Sequence, residues 1–209
     1  AQLGIDHQAF LGDAIGQIAR EKAGIARKGR PLVTLAYASE ASDAVAKMAN
    51  ERDADLRIAG RDWRYEAVTN GLHVSDRAGA ITLPRPLLAG DHQLANLALA
   101  AATLRAQDRV PVSDKALMGA ALTALWPARM QRLGSGPLTV LVRSTAEIWL
   151  DGGHNAAAGD AVSAAIRDRA AGRPIHLMCG MLANKDVAGL LGPFAGFARS
   201  LTAIPVPGH

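Results

Sequence analysis

One lysine stands on an apolar stripe. In the run from Asp13 to Ala26, apolar residues recur at 15, 18, 19, 25 and 26. That is the spacing of one face of an α-helix, and Lys22 falls on the same face. An ammonium on a buried face must shift its pKa, find a partner or be chemically changed. The alternative is that its stem carries it from the helix end into water. Other residues share the capacity for chemistry. His7 follows an apolar step, where a histidine can be structural or can ligate a metal. His92, Gln93 and Asn96 are spaced to share the first turn of a long helix. There, unpaired N–H groups and polar side chains face a ligand or serve as ordinary caps. Arg129 follows a proline; its guanidinium is either solvated or a fork for phosphate oxygens. Asp151 closes the β-like run Ile148-Trp149-Leu150, directly before Gly152-Gly153 and a helix. Ligands of open α/β sheets bind outside the carboxyl ends of strands, so a carboxylate there can accept from ribose hydroxyls. Otherwise Asp151 or Asn155 is a helix cap.

These residues need elements to hold them. The pattern predicts a helix from Asp13 to Ala26, stopped at Gly29, and a strand over Pro31–Ala36. A second helix follows from Ser42 to Glu51, with Ser39 or Ser42 as its cap, then a short strand over Leu56–Ala59. The stretch from Trp63 to Ile81 is irregular, with Asn70-Gly71 as a hairpin signal between two β-like runs. A long helix spans His92–Gln107. Ser113 caps another that reaches Trp126, where Pro127 stops it. Beyond a boundary at Pro127 to Arg129, Leu138–Val142 and Ile148–Asp151 read as strands and Asn155–Ala171 as a helix. Pro174–Cys179 reads as a strand, Lys185–Arg199 as mostly helix broken near Gly192-Pro193, and Leu201–Ile204 as the last strand. Helices and strands alternating in this way predict an α/β fold with a mostly parallel sheet. The second part has the pattern of half a doubly wound sheet.

Composition narrows the class. With 209 residues and 49% of them apolar, the chain can form one large or two small cores. A single cysteine, Cys179, leaves no disulfide framework, fits a reducing compartment, and reads as a small buried hydrophobe. No apolar run approaches eighteen residues, and no secretory leader pattern opens the chain. The net charge of +4 suits anionic small molecules. The basic residues are scattered and only 4% are aromatic, which argues against nucleic acid. No CxxC, H-E-x-x-H or G-x-S-x-G occurs, and no G-x-x-x-x-G-K-[ST] phosphate loop.

Five blocks in order carry a resemblance. They are Leu3-Gly4-Ile5-Asp6-His7 with Ile18 through Ile25, Leu83-Pro84 through Gly90-Asp91-His92-Gln93-Leu94-Ala95-Asn96, and Arg129-Met130-Gln131-Arg132. Asp151-Gly152-Gly153-His154-Asn155 and Gly180-Met181-Leu182-Ala183-Asn184-Lys185-Asp186 complete the set. The chain resembles the folylpolyglutamate synthase and dihydrofolate synthase branch of the Mur ligase superfamily. Gly153 and Ala156 depart from it, since the branch often has alanine and then proline at those places.

The resemblance implies the remainder of a Mur-ligase-type central ATPase domain over residues 1–127 and a smaller, incomplete Rossmann-like domain over 128–209. The phosphate loop would lie upstream, so these residues alone would be inactive. It implies an ATP-dependent ligase that adds L-glutamate to dihydropteroate or a folate through an acyl phosphate. ATP and Mg²⁺ are the implied cofactors, with one ion held by His7 and a carbamylated Lys22. The nucleotide would be contacted by Gln93, Asn96, Arg129, Asp151 and His154, with Lys22, His7 and Arg129 serving catalysis. The implied state is a cytoplasmic monomer acting on small molecules, with no nucleic-acid or membrane partner. A cell-wall Mur ligase and a non-catalytic α/β binding module are the rival readings.

Overall fold

The computed structural model describes Leu3 and residues 14–207. His7 and Asp13 lie outside the described residues. The chain forms two compact units, Ala1–Leu87 with His92–Ala124, and Leu88–Asp91 with Leu125–His209.

The first unit is built on α1 (Ile15–Ala23), β1 (Pro31–Thr34), α2 (Ser39–Glu51) and β2 (Asp55–Ile58). Strands β1 and β2 pair in parallel, Leu32 opposite Leu56. Ala19 and Ala23 of α1 pack on Ala41, Val45, Met48 and Ala49 of α2, with Leu32 beneath. Small residues in both helices allow this close approach. Neither Ser39 nor Ser42 caps α2; Ala38 stands at the N-cap without a side-chain bond. Instead Glu40, in the first turn of α2, accepts at Oε1 from the Gly16 N–H of α1 at 3.1 Å. The first turn of α1 is thus capped by a neighbouring helix, an acceptor that no local sequence rule locates.

The stripe on α1 is narrower than its spacing suggests. Ile18, Ala19 and Ala23 are buried, whereas Lys22 is exposed, and so is Glu21. Lys22 lies in the last turn, where a long stem carries the ammonium into solvent. Of the two readings of Lys22, the structure supports the one in which the ammonium leaves the helix end for water. Ile25, also assigned to the stripe, is 72% exposed because the helix has ended and the chain has turned at Gly24.

The stretch that reads as irregular is a three-stranded meander, β3 (Arg64–Val68), β4 (Gly71–Asp76) and β5 (Gly79–Pro84). Val68 pairs with Gly71, so Thr69-Asn70 is the two-residue loop and the glycine opens β4. A Cβ on Gly71 would strike the Leu83 carbonyl oxygen of the adjoining strand. The glycine is there for the approach of that strand, not for the turn. Leu72, Val74, Ile81 and Leu83 face inward and meet Leu94, Ala98, Ala101 and Ala102 of α3 (His92–Ala106) and Leu117 of α4 (Asp114–Thr123). Burial of each Leu or Val side chain contributes about 1.5–3 kcal/mol. Ser113 caps α4 by accepting from Ala116 N–H at 3.2 Å, as read from the sequence. The helix stops at Thr123, short of Trp126.

One ion pair ties the meander to α3. Arg105 Nε donates to Asp76 Oδ2 at 2.8 Å and Nη2 to Oδ1 at 3.1 Å. The side chains are only 13% and 14% exposed. The Arg105 hydrogen bond holds the Asp76 carboxyl below the usual carboxylate range, against the opposing effect of burial. A lowered folded-state pKa stabilises the fold above the ordinary aspartate value, about 3.9, and that stabilisation disappears as pH falls through the folded value. Asp76→Asn is expected to cost about 1–3 kcal/mol at neutral pH. It should also flatten the loss of stability below about pH 4. Urea titrations from pH 7 to pH 2 check this, and parallel curves for the two proteins would exclude the pair as the source.

The second unit contains β6 (Gln131–Arg132), β7 (Trp149–Leu150), α5 (Ala156–Ala170), β8 (Ile175–Cys179), α6 (Val187–Leu191) and β9 (Ala198–Ala203). Strands β8 and β9 pair in parallel, joined through α6, while β6 and β7 pair antiparallel. The strand expected over Leu138–Val142 is instead a 3-10 turn at Thr139–Leu141, with its apolar side chains exposed. Thr139 causes this: its hydroxyl accepts from Gly136 N–H at 2.8 Å and ties the segment into a local turn. Cys179 is half-buried in β8 rather than fully buried, and burial raises its thiol pKa. Among the described residues no helix is long and apolar enough to cross a membrane.

Candidate functional site

The sequence-assigned residues of the second unit converge on one loop. Pairing of Gln131 with Leu150 and Arg132 with Trp149 brings the segment before β6 alongside the carboxyl end of β7. Asp151 sits at that end. Its Oδ2 accepts from Met130 N–H at 2.7 Å, and its Oδ1 from Gly153 N–H at 2.7 Å. Gly152 N–H donates to the Ala128 carbonyl at 2.9 Å, and Ala128 N–H donates to Gln131 Oε1 at 3.0 Å. Met130 is 5% exposed and packs with Ala89 and Ala165.

Arg129 stands at the apex of this loop between two residues in the left-handed region, Ala128 at φ 53° and Met130 at φ 44°. Neither is glycine, so each costs roughly 1–2 kcal/mol. Such backbone persists where surrounding bonds and packing over-determine it, as they do here. The Arg129 side chain is exposed and makes no ion pair or hydrogen bond among the described residues. A stiff base carries an exposed guanidinium, which suits an anionic group such as phosphate.

His154 and Asn155 follow directly. His154 is half-buried, and its Nδ1 lies 3.1 Å from the Gly152 carbonyl oxygen. A carbonyl only accepts, so this contact places the proton on Nδ1. Asn155 is the N-cap of α5, accepting from Ala158 N–H at 2.9 Å. That settles the two sequence readings of the cap: Asn155 holds the helix, and Asp151 holds the loop. Gly153 is tightly placed, since a Cβ there would lie 3.0 Å from Asp151 Oδ1 and 2.9 Å from the Ala158 Cβ.

In the first unit, Gln93 and Asn96 do share the first turn of α3. Asn96 Nδ2 donates to Gln93 Oε1 at 3.1 Å. Gln93 is buried and Asn96 exposed, so the pair fixes an amide at the helix surface. Lys22 lies apart on α1. Among the described residues no group of three His, Cys, Asp or Glu side chains could hold a metal ion. A lysine ammonium is no metal ligand; only as a carbamate would Lys22 offer oxygens. Asp186, which sequence alone left without a role, is the N-cap of α6, accepting from Gly189 N–H at 2.8 Å. Sequence reasoning missed Gln131 and Met130 as parts of the Arg129 loop. Their signal, a two-strand pair of two residues each, is too short for any periodicity.

The chain has a mixed α/β fold of the Mur-ligase type, with its polar residues at a strand's carboxyl end. No family model matches the sequence. The folylpolyglutamate synthase of Lacticaseibacillus casei is 29% identical over 99% of the chain and 48% of its own length. The dihydrofolate synthase/folylpolyglutamate synthase of Escherichia coli is 30% identical over 90% of the chain and 41% of its own length. The solved structure of E. coli FolC in complex with DHPP and ADP superposes with a TM-score of 0.79 at 28% identity. It covers 95% of this chain and 44% of that one. Nearly the whole chain is similar in sequence and fold to folylpolyglutamate/dihydrofolate synthases. It spans about half the length of the curated relatives it matches.

Proposed function

We propose that this chain supplies part of an ATP-dependent ligase that adds L-glutamate to dihydropteroate, to a reduced folate, or to both. The observation that carries the reading is the Arg129 loop, a guanidinium with no partner among the described residues, on a stiff base beside the carboxyl end of β7. The homology to folate-glutamate ligases supports it, as does the E. coli relative solved with ADP. In this reading the acceptor carboxylate takes the γ-phosphoryl group of ATP and becomes an acyl phosphate. The glutamate amine then attacks the acyl carbon and phosphate leaves. The protein contributes positioning and charge neutralisation.

Arg129 binds phosphate oxygens; Asn96, with Gln93 beneath it, and His154 are assigned to the nucleotide. Asp151 is assigned to the same ligand by the resemblance alone, and its observed contacts are to the loop. Mg²⁺ would be held by His7 and by Lys22 as a carbamate, and would neutralise phosphate charge. The domain assignment follows the same reading, an ATPase part over residues 1–127 and a Rossmann-like part over 128–209. A monomer in the cytoplasm is the expected state.

ADP release tests the reading. The complete protein is given Mg-ATP and glutamate with dihydropteroate, tetrahydrofolate or a UDP-muramyl precursor in turn. Turnover with one or both pteridines is the expected result. Turnover only with the muramyl substrate would move the protein to cell-wall ligation, and silence with all three would leave a binding module.

A further inference from the structure

A side chain from outside the Arg129 loop ties it to the turn after β7. Asp151 accepts with one oxygen from Met130 N–H, inside the loop, and with the other from Gly153 N–H, in the turn after β7. Both distances are 2.7 Å, at the short end for N–H donors to a carboxylate. The carboxylate thus bridges the two segments. The reciprocal backbone bond, Gly152 N–H to the Ala128 carbonyl, closes the other side of Arg129. Between these clamps the backbone runs left-handed, then Arg129, then left-handed again. The bridge acts together with the packing of Met130 on Ala89 and Ala165 to keep that residue at a positive φ.

We propose that Asp151 is a positioning residue, whose carboxylate fixes the direction of the Arg129 guanidinium by clamping Met130 N–H to the Gly153 turn. The proposal rests on the reading of Arg129 as a phosphate-binding group. A guanidinium fork discriminates by direction, and a misplacement of about 1 Å can cost on the order of 100-fold in rate. Asp151 acts through Arg129; whatever else it touches, its loss must disorder the loop.

The test uses the complete protein and three variants, Asp151→Asn, Arg129→Ala and the double variant. Asparagine keeps the shape and one accepting oxygen, but its NH₂ faces a second N–H and cannot accept from it. Asp151→Ser, which removes the bridge without opposing two donors, stands in if the asparagine variant does not fold. Amide hydrogen exchange reads the loop directly. Exchange at Met130 and Gly153 should rise at least tenfold in the Asp151 variant and stay unchanged in Arg129→Ala. Turnover should fall at least tenfold in each single variant, and the double variant should match Arg129→Ala within about threefold. The preference for ATP over 2′-deoxy-ATP and 3′-deoxy-ATP should be the same as in the parent. Unchanged exchange would overturn the proposal, as would losses that multiply in the double variant. So would a variant whose only defect is lost preference for the ribose hydroxyls, the mark of a direct sugar contact. If the parent releases no ADP with any acceptor, the ligase reading fails separately, and exchange at Met130 and Gly153 alone decides the bridge.

Discussion

Gly159→Ala in the complete protein is expected to destabilise the second unit by about 2–3 kcal/mol, and Gly159→Val by more. Helix propensity alone gives the opposite sign, because alanine in a helix interior is about 1 kcal/mol better than glycine. Contact geometry decides between them. Gly159 lies in the first turns of α5, buried against α6. A Cβ there would strike the Leu190 carbonyl oxygen, and would stand 2.9 Å from the Leu190 Cα and 3.0 Å from the Gly189 carbonyl oxygen. All three atoms are backbone, so no side-chain rotation relieves the clash. Relief requires α5 and α6 to separate, which loosens Leu190 and Phe194 from the core of the unit. Chemical unfolding followed by a probe of this unit, such as Trp149 fluorescence, measures the change. A shift of about 10 °C downward in the thermal midpoint is the matching result for alanine. A rise in stability for Gly159→Ala would show that propensity wins and that the helices have room.

The same glycine shows where sequence reading stops. Local signals located most elements: the Ser113 cap, the long helix at His92, the Asn155–Ala171 helix and the strand at Cys179 all rest on periodicity or capping within a few residues. They failed where the deciding partner was distant. Glu40 caps α1 from another helix, and neither serine near the start of α2 caps it. Gly71 sits next to a hairpin loop, but its glycine is required by Leu83 on a strand that had no clear alternating pattern. Leu138–Val142 has a strand's composition, but Thr139 folds it into a turn through its own hydroxyl. Leu88–Asp91 groups with the second unit through Ala89, a tertiary contact with no sequence mark. The site divides in the same way. Arg129 and Asp151 were legible as chemical types at suitable places, and the fold brings them to one loop. That Asp151 grips the backbone on either side of a turn was not legible, because it depends on a two-residue strand pair. Lys22 was legible as a residue at odds with its stripe; it is exposed in the last turn of a helix that ends at Ala23.

Lys22→Ala in the complete protein is expected to lower turnover on the order of 100-fold or more while leaving the fold intact. The structural part of this argument is that the side chain does nothing for stability. Lys22 is exposed at the end of α1, and among the described residues it makes no ion pair or hydrogen bond. Alanine is a good helix former, so the change in stability should stay within about 0.5 kcal/mol. A large loss of turnover must therefore come from chemistry, not from unfolding. The proposed chemistry is addition of carbon dioxide: the neutral amine forms an N–C bond, a proton leaves, and a carbamate oxygen pair replaces the ammonium. A cation that would repel Mg²⁺ becomes a hard oxygen ligand. Lys22→Arg separates this from a simple positive charge, because a guanidinium stays protonated and forms no carbamate. It should be as inactive as alanine. Depletion of bicarbonate should lower the parent's turnover, its return should restore it, and neither treatment should affect the two variants. Near-parental turnover in Lys22→Arg would assign the lysine a purely cationic role, and near-parental turnover in Lys22→Ala would remove it from the site.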